Sequence, residues 1–566
     1  MTGRRPLVTL SVLALASLGA YAAVARVGRS LHAAGPGGLP LPAILGLFGV
    51  AFGGYAAAIR VAVGARQDGR LLALIVAASV AFRITLLFSD PIAEVDLYRY
   101  LWDGSATLAG VDPFRYSPAE VLAAPARGPL PADLARLVAL RDGSAVTGEV
   151  LRRVHFGELT TIYPPVAQAV FALAAGATPR GASLPVRMTV MKAWFVGFDL
   201  ATLGLVVALL RFSGRPVGWS LAYGWCPLLV KEVANSGHLD ALAAFLATLS
   251  LYLGALALYP PPPDPSRPSR PRRSRALTTA AALTLALAAG AKLYPVVLAP
   301  LLGISLARRR GWRSAVAPAA AFVVALALVV WPMLPADRVE GFDRGRTAAG
   351  VAGELPPLPP LESFSDPRDP GQGLTAFLSQ WEMNDFLFLI VVENLRPYAD
   401  LPPRERAWFS VVPERWREAV MAAVPSRAGV ERRRLPFFLT RAATSSLFLI
   451  LALGFAWRGS AAAGVTGWLR AAFLTLAWFW LLQPTLNPWY WAWALPLVPF
   501  ARNRAWLAVS GLVFLYYLRF WLTDRFPEAP VPGSRYPGPL FFDFVVTWIE
   551  FGPWFAWLAL ETRRPP

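Results

Sequence analysis

Asp90, Glu94 and Asp96 fall within one short turn. Tyr98-Arg99-Tyr100-Leu101-Trp102-Asp103-Gly104 follows directly, and Gly110-Val111-Asp112-Pro113-Phe114-Arg115-Tyr116 comes a few residues later. The turn begins where an apolar stretch ends, so its carboxylates are partly desolvated. Desolvation disfavours the charged form, raises the pKa and makes a carboxylate a better general base. Aromatic rings alongside suit the apolar C–H faces of a sugar. An acidic interfacial loop whose charges pair with Arg99 and Arg115 would use the same residue types, and on these residues alone the two readings stand level. Other groups stand out by rarity. Lys192, Lys231 and Lys292 are the three lysines among 54 basic residues, and His32, His155 and His238 are the three histidines. The single cysteine, Cys226, excludes an internal disulfide and any multi-cysteine metal site.

The elements that must hold these groups are apolar. Of 566 residues, 56% are hydrophobic and 16% charged, with a mean hydropathy of +0.47, whereas soluble globular chains carry about 25% charged residues. A soluble enzyme, a secreted disulfide scaffold and a fibrous protein are excluded, which leaves an all-α polytopic membrane protein. A bilayer core of about 30 Å takes roughly 20 apolar residues per helix. Suitable stretches lie near 7–27, 40–63, 71–89, 188–210, 216–232, 239–259, 276–291, 293–308, 314–334, 437–457, 468–486, 489–501, 505–523 and 540–560. They predict about 12–14 transmembrane helices. The first reads as an anchor rather than a cleaved signal, because further spans follow it and no clean cleavage site is present.

A formal charge of +19 reflects loop arginines rather than nucleic-acid contact. Arg4 and Arg5, Arg60, Arg66 and Arg70, Arg211 and Arg215, the linker Pro260 to Arg275, Arg308 to Arg310 with Arg313, Arg502 and Arg504, and Arg563 and Arg564 all fall on one side if both termini are cytoplasmic. The chain then divides into five parts. Residues 1–89 are N-terminal spans, and 90–187 form a first external loop with the acidic turn and an interfacial or re-entrant helix over Ile162 to Ala177. Residues 188–334 are central spans with the basic linker 260–275. Residues 335–436 form a second external loop, whose apolar run Phe386 to Val392 is too short to cross, and 437–566 are C-terminal spans.

Six short motifs occur in order: DLYRYLWDG from Asp96 to Gly104, GVDPFRY from Gly110 to Tyr116, Ile162-Tyr163-Pro164-Pro165, Ser236-Gly237-His238-Leu239-Asp240, Lys292-Leu293-Tyr294-Pro295 and Asn487-Pro488-Trp489-Tyr490-Trp491. Spread over most of residues 85–500, the set resembles the polyprenyl-phosphate-sugar-dependent integral-membrane glycosyltransferases of the GT-C fold. It is most similar to their bacterial alpha-mannosyltransferase group, phosphatidylinositol-mannoside mannosyltransferase-like and glycosyltransferase family 87-like. Leu239 departs from the pattern, where a polar Asn is expected, so no hydrogen bond is carried over to that position. The resemblance implies a GT-C-type helical bundle in a bacterial cytoplasmic membrane with its active site on the external face. It implies transfer of a sugar, mannose by this likeness, to a lipid or glycan acceptor in cell-envelope glycan synthesis. An acidic residue of the first external loop would deprotonate the acceptor: Asp96 first, since it opens the matched motif, with Glu94 and Asp90 in reserve and Asp103 as an anchor. No cofactor or metal is expected, although Asp90, Glu94 and Asp96 would suit a divalent ion.

Sidedness gives a separate argument about the donor. Nucleotide sugars are cytoplasmic, the acidic turn is external, and no Gly-rich phosphate loop follows a strand. An external transferase therefore needs a sugar activated on a lipid, with cations for its phosphate at the membrane boundary. Lys292 and His238 suit that role, as does Arg99 through bidentate binding, though anchoring and capping would use the same residues. Lys231 and Glu232 read as a boundary salt bridge, and Tyr163 opens a rigid Pro-Pro turn. Asn487, Trp489 and Tyr490 form either an aromatic belt or a sugar-facing wall. Trp381, Glu382 and Asn384 form a sugar-facing cluster or an ordinary loop. Asp199, inside a span, reads as structural, with Lys192 two helical turns away on the same face. Two other functions remain open. One is a transporter or flippase of lipid-linked sugars, although no repeated pair of broken helices supports it. The other is a non-catalytic factor in surface-polysaccharide assembly.

Overall fold

The computed structural model describes residues 4–34, 40–126, 128–260, 271–333, 373–399, 401–424 and 434–563. The basic linker and the second external loop are thus described only in part: 261–270, 334–372 and 425–433 lie outside the described residues. Among the described residues every named element is helical, and β-pairing is limited to isolated bridges such as Met383 with Thr485. Among the described residues nine helices are long and apolar enough to cross a bilayer: Arg5–Gly28, Leu41–Gly64, Gly69–Leu87, Leu184–Phe212, Asp240–Leu258, Ser274–Ala291, Trp312–Met333, Leu435–Ser460 and Ala505–Arg525. The molecule is an all-α polytopic membrane protein.

The other five apolar stretches are also helical, but short or composite, so the described residues hold nine helices of spanning length rather than twelve to fourteen, and Ala505–Arg525 is itself interrupted by a 3₁₀ turn over Val513–Tyr517. Val465–Leu481 has 17 residues. The segments 217–235, 294–310, 488–500 and 538–562 each join α pieces to 3₁₀ or π turns, or consist of 3₁₀ turns alone. Proline explains most of the breaks, because it lacks an N–H and clashes with the preceding turn. Pro227, Pro295, Pro488, Pro496 and Pro539 each sit at the start of such a piece.

The buried Asp199 is paired. Arg83 Nε donates to Asp199, and Arg83 Nη1 donates to the carbonyls of Ser79 at 3.1 Å and Gly224 at 2.6 Å. Tyr223 donates its hydroxyl to Asp199 Oδ1 at 2.6 Å. Asp199 is structural, as expected, but its partner is Arg83 and not Lys192. Lys192 instead donates to the carbonyls of Ser89 at 2.7 Å and Asn235 at 3.2 Å. A buried carboxylate persists only when its lone pairs are met in this way.

The Asp240–Leu258 helix sets the two ends of the bundle apart. Its 19 residues extend about 28 Å at the usual helical rise. Lys292 binds Asp240 at one end. At the other, Arg309 donates to Tyr259 Oη at 2.8 Å and Arg310 to the carbonyl of Ala257. The arginine-rich turn after 307 therefore lies opposite the end that carries Asp240. On the Asp240 side the helix Asp96–Leu108 packs against Pro165–Ala177, and Tyr100 stacks on Phe171 with centroids 4.6 Å apart. Gly104 permits the approach, since a Cβ there would lie 2.4 Å from the Phe171 carbonyl oxygen. The Pro164–Pro165 pair starts the second helix, as its fixed φ favours.

Candidate functional site

The acidic turn is held from below. Asn235 accepts the Ile92 N–H at 2.9 Å and donates to Ser89 Oγ and the Asp90 carbonyl, both at 2.7 Å. Ala93 then adopts a left-handed backbone, φ 51°, a conformation uncommon for residues with a Cβ and frequent at functional sites. Glu94 follows and accepts the N–H groups of Val95 at 2.8 Å and Asp96 at 3.0 Å on Oε1. Its Oε2 lies 3.2 Å from His238 Nε2. Asp96 is the first residue of its helix and accepts the Tyr163 hydroxyl at 3.1 Å. Two carboxylates two residues apart thus meet different surroundings. Burial works against the Glu94 charge, but His238, Lys231 and the backbone donors outweigh it and hold its carboxyl at about 2. Burial and the adjacent Glu94 charge push Asp96 up to about 6, with His238, Tyr163 and Lys292 opposing. This is the divergence expected of a group poised to take a proton beside one that stays ionised.

Two cations face the pair. His238 is 1% exposed, and its Nε2 lies between Glu94 and Glu232, the latter at 3.3 Å. Burial would discharge the ring, yet the two carboxylates raise it to about 9. Trp489 covers it, stacked at 4.2 Å and 14°. Its Nδ1 has no hydrogen-bond partner among the described residues, and the two Nε2 contacts are ion-pair distances without hydrogen-bond geometry. Lys292 binds Asp240 through both oxygens, at 2.7 and 2.8 Å, and Trp493 Nε1 donates to the same carboxylate at 2.5 Å. The ammonium lies 4.4 Å from the Tyr490 ring centroid, and its side chain is 18% exposed. An ammonium has three N–H groups, so two on Asp240 leave a third. Tyr490, stacked on Trp493 at 4.5 Å, is pushed well above the usual phenol range by burial and by the carboxylates of Asp240 and Asp96. It therefore bridges the Lys292 and Asp96 sides. Asn487, 5% exposed, lies at the foot of that aromatic turn.

The second loop folds onto the same turn. Met383 N–H donates to the Pro484 carbonyl and Leu486 N–H to the Met383 carbonyl, both at 2.9 Å, while Tyr516 Oη contacts Met383 Sδ at 3.1 Å. Trp381 meets Phe156 edge-on at 4.6 Å, and Phe156 itself has φ 51°. The neighbouring His155 is pushed down to about 4 by burial, against the pull of Glu94 and with that of Arg99. Arg99 does not face Asp96. Its Nη2 donates to the carbonyls of Phe156 at 2.8 Å and His155 at 3.3 Å. Trp381, Glu382 and Asn384 point apart. Asn384 turns inward to the Leu486 carbonyl at 3.1 Å. Glu382 looks toward Arg396, Glu393, Asp543 and Arg519, and burial pushes it up to about 7. Asp103 accepts from Gln168 at 3.1 Å and so joins the two packed helices. Arg115 pairs with Asp133.

The structure thus brings Glu94, Asp96, Tyr163, His238, Lys292, Trp489 and Tyr490 together, with Trp381 and Arg99 on its flank and Glu382 outside. Sequence reasoning missed Glu232 as a partner of His238, and it missed Asn235 and Tyr517. A buried Lys-Glu pair so close to the His-Leu-Asp triplet was the available signal. Among the described residues no group of three or more His, Cys, Asp or Glu side chains is arranged to hold a metal ion. No family model, no curated protein and no solved structure matches this chain.

Proposed function

We propose that this protein is an inverting glycosyltransferase that moves a sugar from a polyprenyl-phosphate donor to a lipid or glycan acceptor at the external face of a bacterial cytoplasmic membrane. The observation that carries the reading is the pairing of Asp96, poised near neutrality, with Glu94, held ionised, between a charged His238 and the Lys292–Asp240 pair. Asp96 takes the proton of the acceptor hydroxyl, and that oxygen attacks the anomeric carbon. The bond from that carbon to the phosphate oxygen breaks, and the polyprenyl phosphate leaves with the electron pair. His238, through Nδ1, and the remaining N–H of Lys292 meet the phosphate charge. Arg99 is committed to loop carbonyls and acts by fixing the 155–156 turn against Trp381. The position of the arginine-rich turns at the far end of the bundle supports an external site by the positive-inside rule, with both termini cytoplasmic. Mannose as the sugar rests on the motif resemblance.

The test is transfer in liposomes from a panel of radiolabelled polyprenyl-phosphate sugars. Wild-type protein should consume one of them, and Asp96→Asn should lower that rate by about 10²–10⁴-fold, the usual contribution of a general base. Undiminished transfer by the variant would move the base elsewhere. Consumption of no donor, with lipid-linked sugar crossing the bilayer instead, would favour a flippase.

A further inference from the structure

Residues Val230–Asn235 form a single π turn, a widened helical turn that recurs at functional sites. It addresses both halves of the site. Asn235, at its end, clamps the turn that carries Glu94. Glu232, in its middle, faces His238. Glu232 Oε2 lies 3.3 Å from His238 Nε2 and accepts from Lys231 Nζ at 3.2 Å. Glu232 Oε1 accepts the Tyr517 hydroxyl at 2.6 Å. Lys231 also donates to that hydroxyl and sits 4.1 Å from the ring centroid. Lys231 and Glu232 are each 1% exposed. Burying such a pair costs desolvation that apolar residues of similar volume would avoid, so packing alone does not account for it.

We infer that Glu232 is a positioning residue of the acid–base centre: it holds the His238 ring, charged and beneath Trp489, against Glu94, which flanks Asp96. The inference rests on the reading of Asp96 as the base. The groups facing this centre are Glu94 and Asp96 on the first-loop turn, His155 and Arg99 beside it, Lys231 and Glu232 on the π turn, Tyr516 and Tyr517 on the 513–517 turn, and the Lys292–Asp240 pair with Tyr490. With Glu232 neutral, His238 loses one of its two carboxylate partners and gives up its proton more readily. The ring then loses its charge at a lower pH on the alkaline side, while it stays charged near pH 6, where Asp96 titrates.

Only three histidines occur in the chain, so histidine-selective NMR of the full-length protein in nanodiscs can follow His238, assigned by its loss in His238→Gln. Glu232→Gln should lower the His238 midpoint by about one pH unit or more, the size of a close opposite charge, and Glu232→Asp should restore most of it. The alkaline limb of the transfer rate, where His238 gives up its proton, should move down in the same variant. Unmoved His238 titration in folded Glu232→Gln protein overturns the inference. Should that variant not fold, Tyr517→Phe, which takes one donor from Glu232 and leaves its charge less dispersed, should shift the His238 midpoint slightly upward, and an unmoved signal there overturns it equally. Asp96→Asn separates the two ideas. If it retains transfer, the base assignment fails whatever His238 does. If it loses transfer while Glu232→Gln leaves both titration and limb in place, only the role of Glu232 fails.

Discussion

At the scale of single residues, the site turns on two carboxylates that burial treats alike and their neighbours separate. Asp96 becomes a competent base as pH rises through about 6, so transfer should fall off on the acid side of that value. Glu94→Gln removes the adjacent negative charge, and the acid limb of the pH–rate profile should then move down by about one pH unit. A limb that stays put or rises would show that Glu94 does not act on Asp96. The same shifts set signs for stability. Glu94, lowered from 4.5 to about 2, contributes stability that is complete above pH 4.5 and is lost as pH falls toward 2. His238, raised from 6.5 to about 9, contributes below pH 6.5 and loses that contribution as pH rises through 9. Asp96 is raised although it is an acid, so its contribution is complete below its ordinary 3.8 and lost as pH rises through about 6. Its charge therefore costs stability at neutral pH, and Asp96→Asn should melt no lower than wild type while losing transfer.

At the scale of elements, the close pair Asp96–Leu108 and Pro165–Ala177 fixes where Asp96 meets Tyr163. Gly104 lies at the closest approach of the pair. Gly104→Ala should therefore cost about 1–3 kcal/mol, the range for overpacking, and lower the rate by parting Asp96 from Tyr163. Thermal unfolding in detergent measures the first effect and the transfer assay the second. A variant with unchanged melting would mean that the two helices slide apart freely. Part of this level was legible beforehand: the Pro-Pro turn starts a helix at Pro165, because proline acts locally. The helix that begins at Asp96 was not, since its residues read as part of an acidic turn. The breaking of four apolar stretches into shorter pieces was less legible, since an apolar stretch reads the same whether its backbone is α, 3₁₀ or π.

At the scale of the whole molecule, the arginine-rich turn and the acidic turn belong to opposite ends of the bundle, and the proposed function requires them to lie on opposite sides of a membrane. In a Cys226→Ser background, Pro129→Cys should react with a membrane-impermeant maleimide on intact cells, and Arg313→Cys only after permeabilisation. Labelling of position 313 in intact cells would reverse the sidedness and remove the case for a lipid-borne donor. The Arg83–Asp199 pair, joined across 116 residues, and the Glu232–Tyr517 contact, across 285, tie the spans together between these ends.

The sequence by itself determined the class of molecule, the nine long apolar helices, the acidic turn and the aromatic turn after residue 487, because composition, apolar run length and proline act over a few residues. It also placed Asp96, Glu94, His238 and Lys292 next to helix ends. Only the tertiary structure decided who faces whom. It turned Arg99 to the 155–156 carbonyls, gave Asp199 to Arg83 rather than Lys192, tied Lys292 to Asp240, and set His238 between Glu94 and Glu232. Those pairings depend on how helices far apart in the chain are rotated and packed against one another, and no local pattern of residues encodes that rotation.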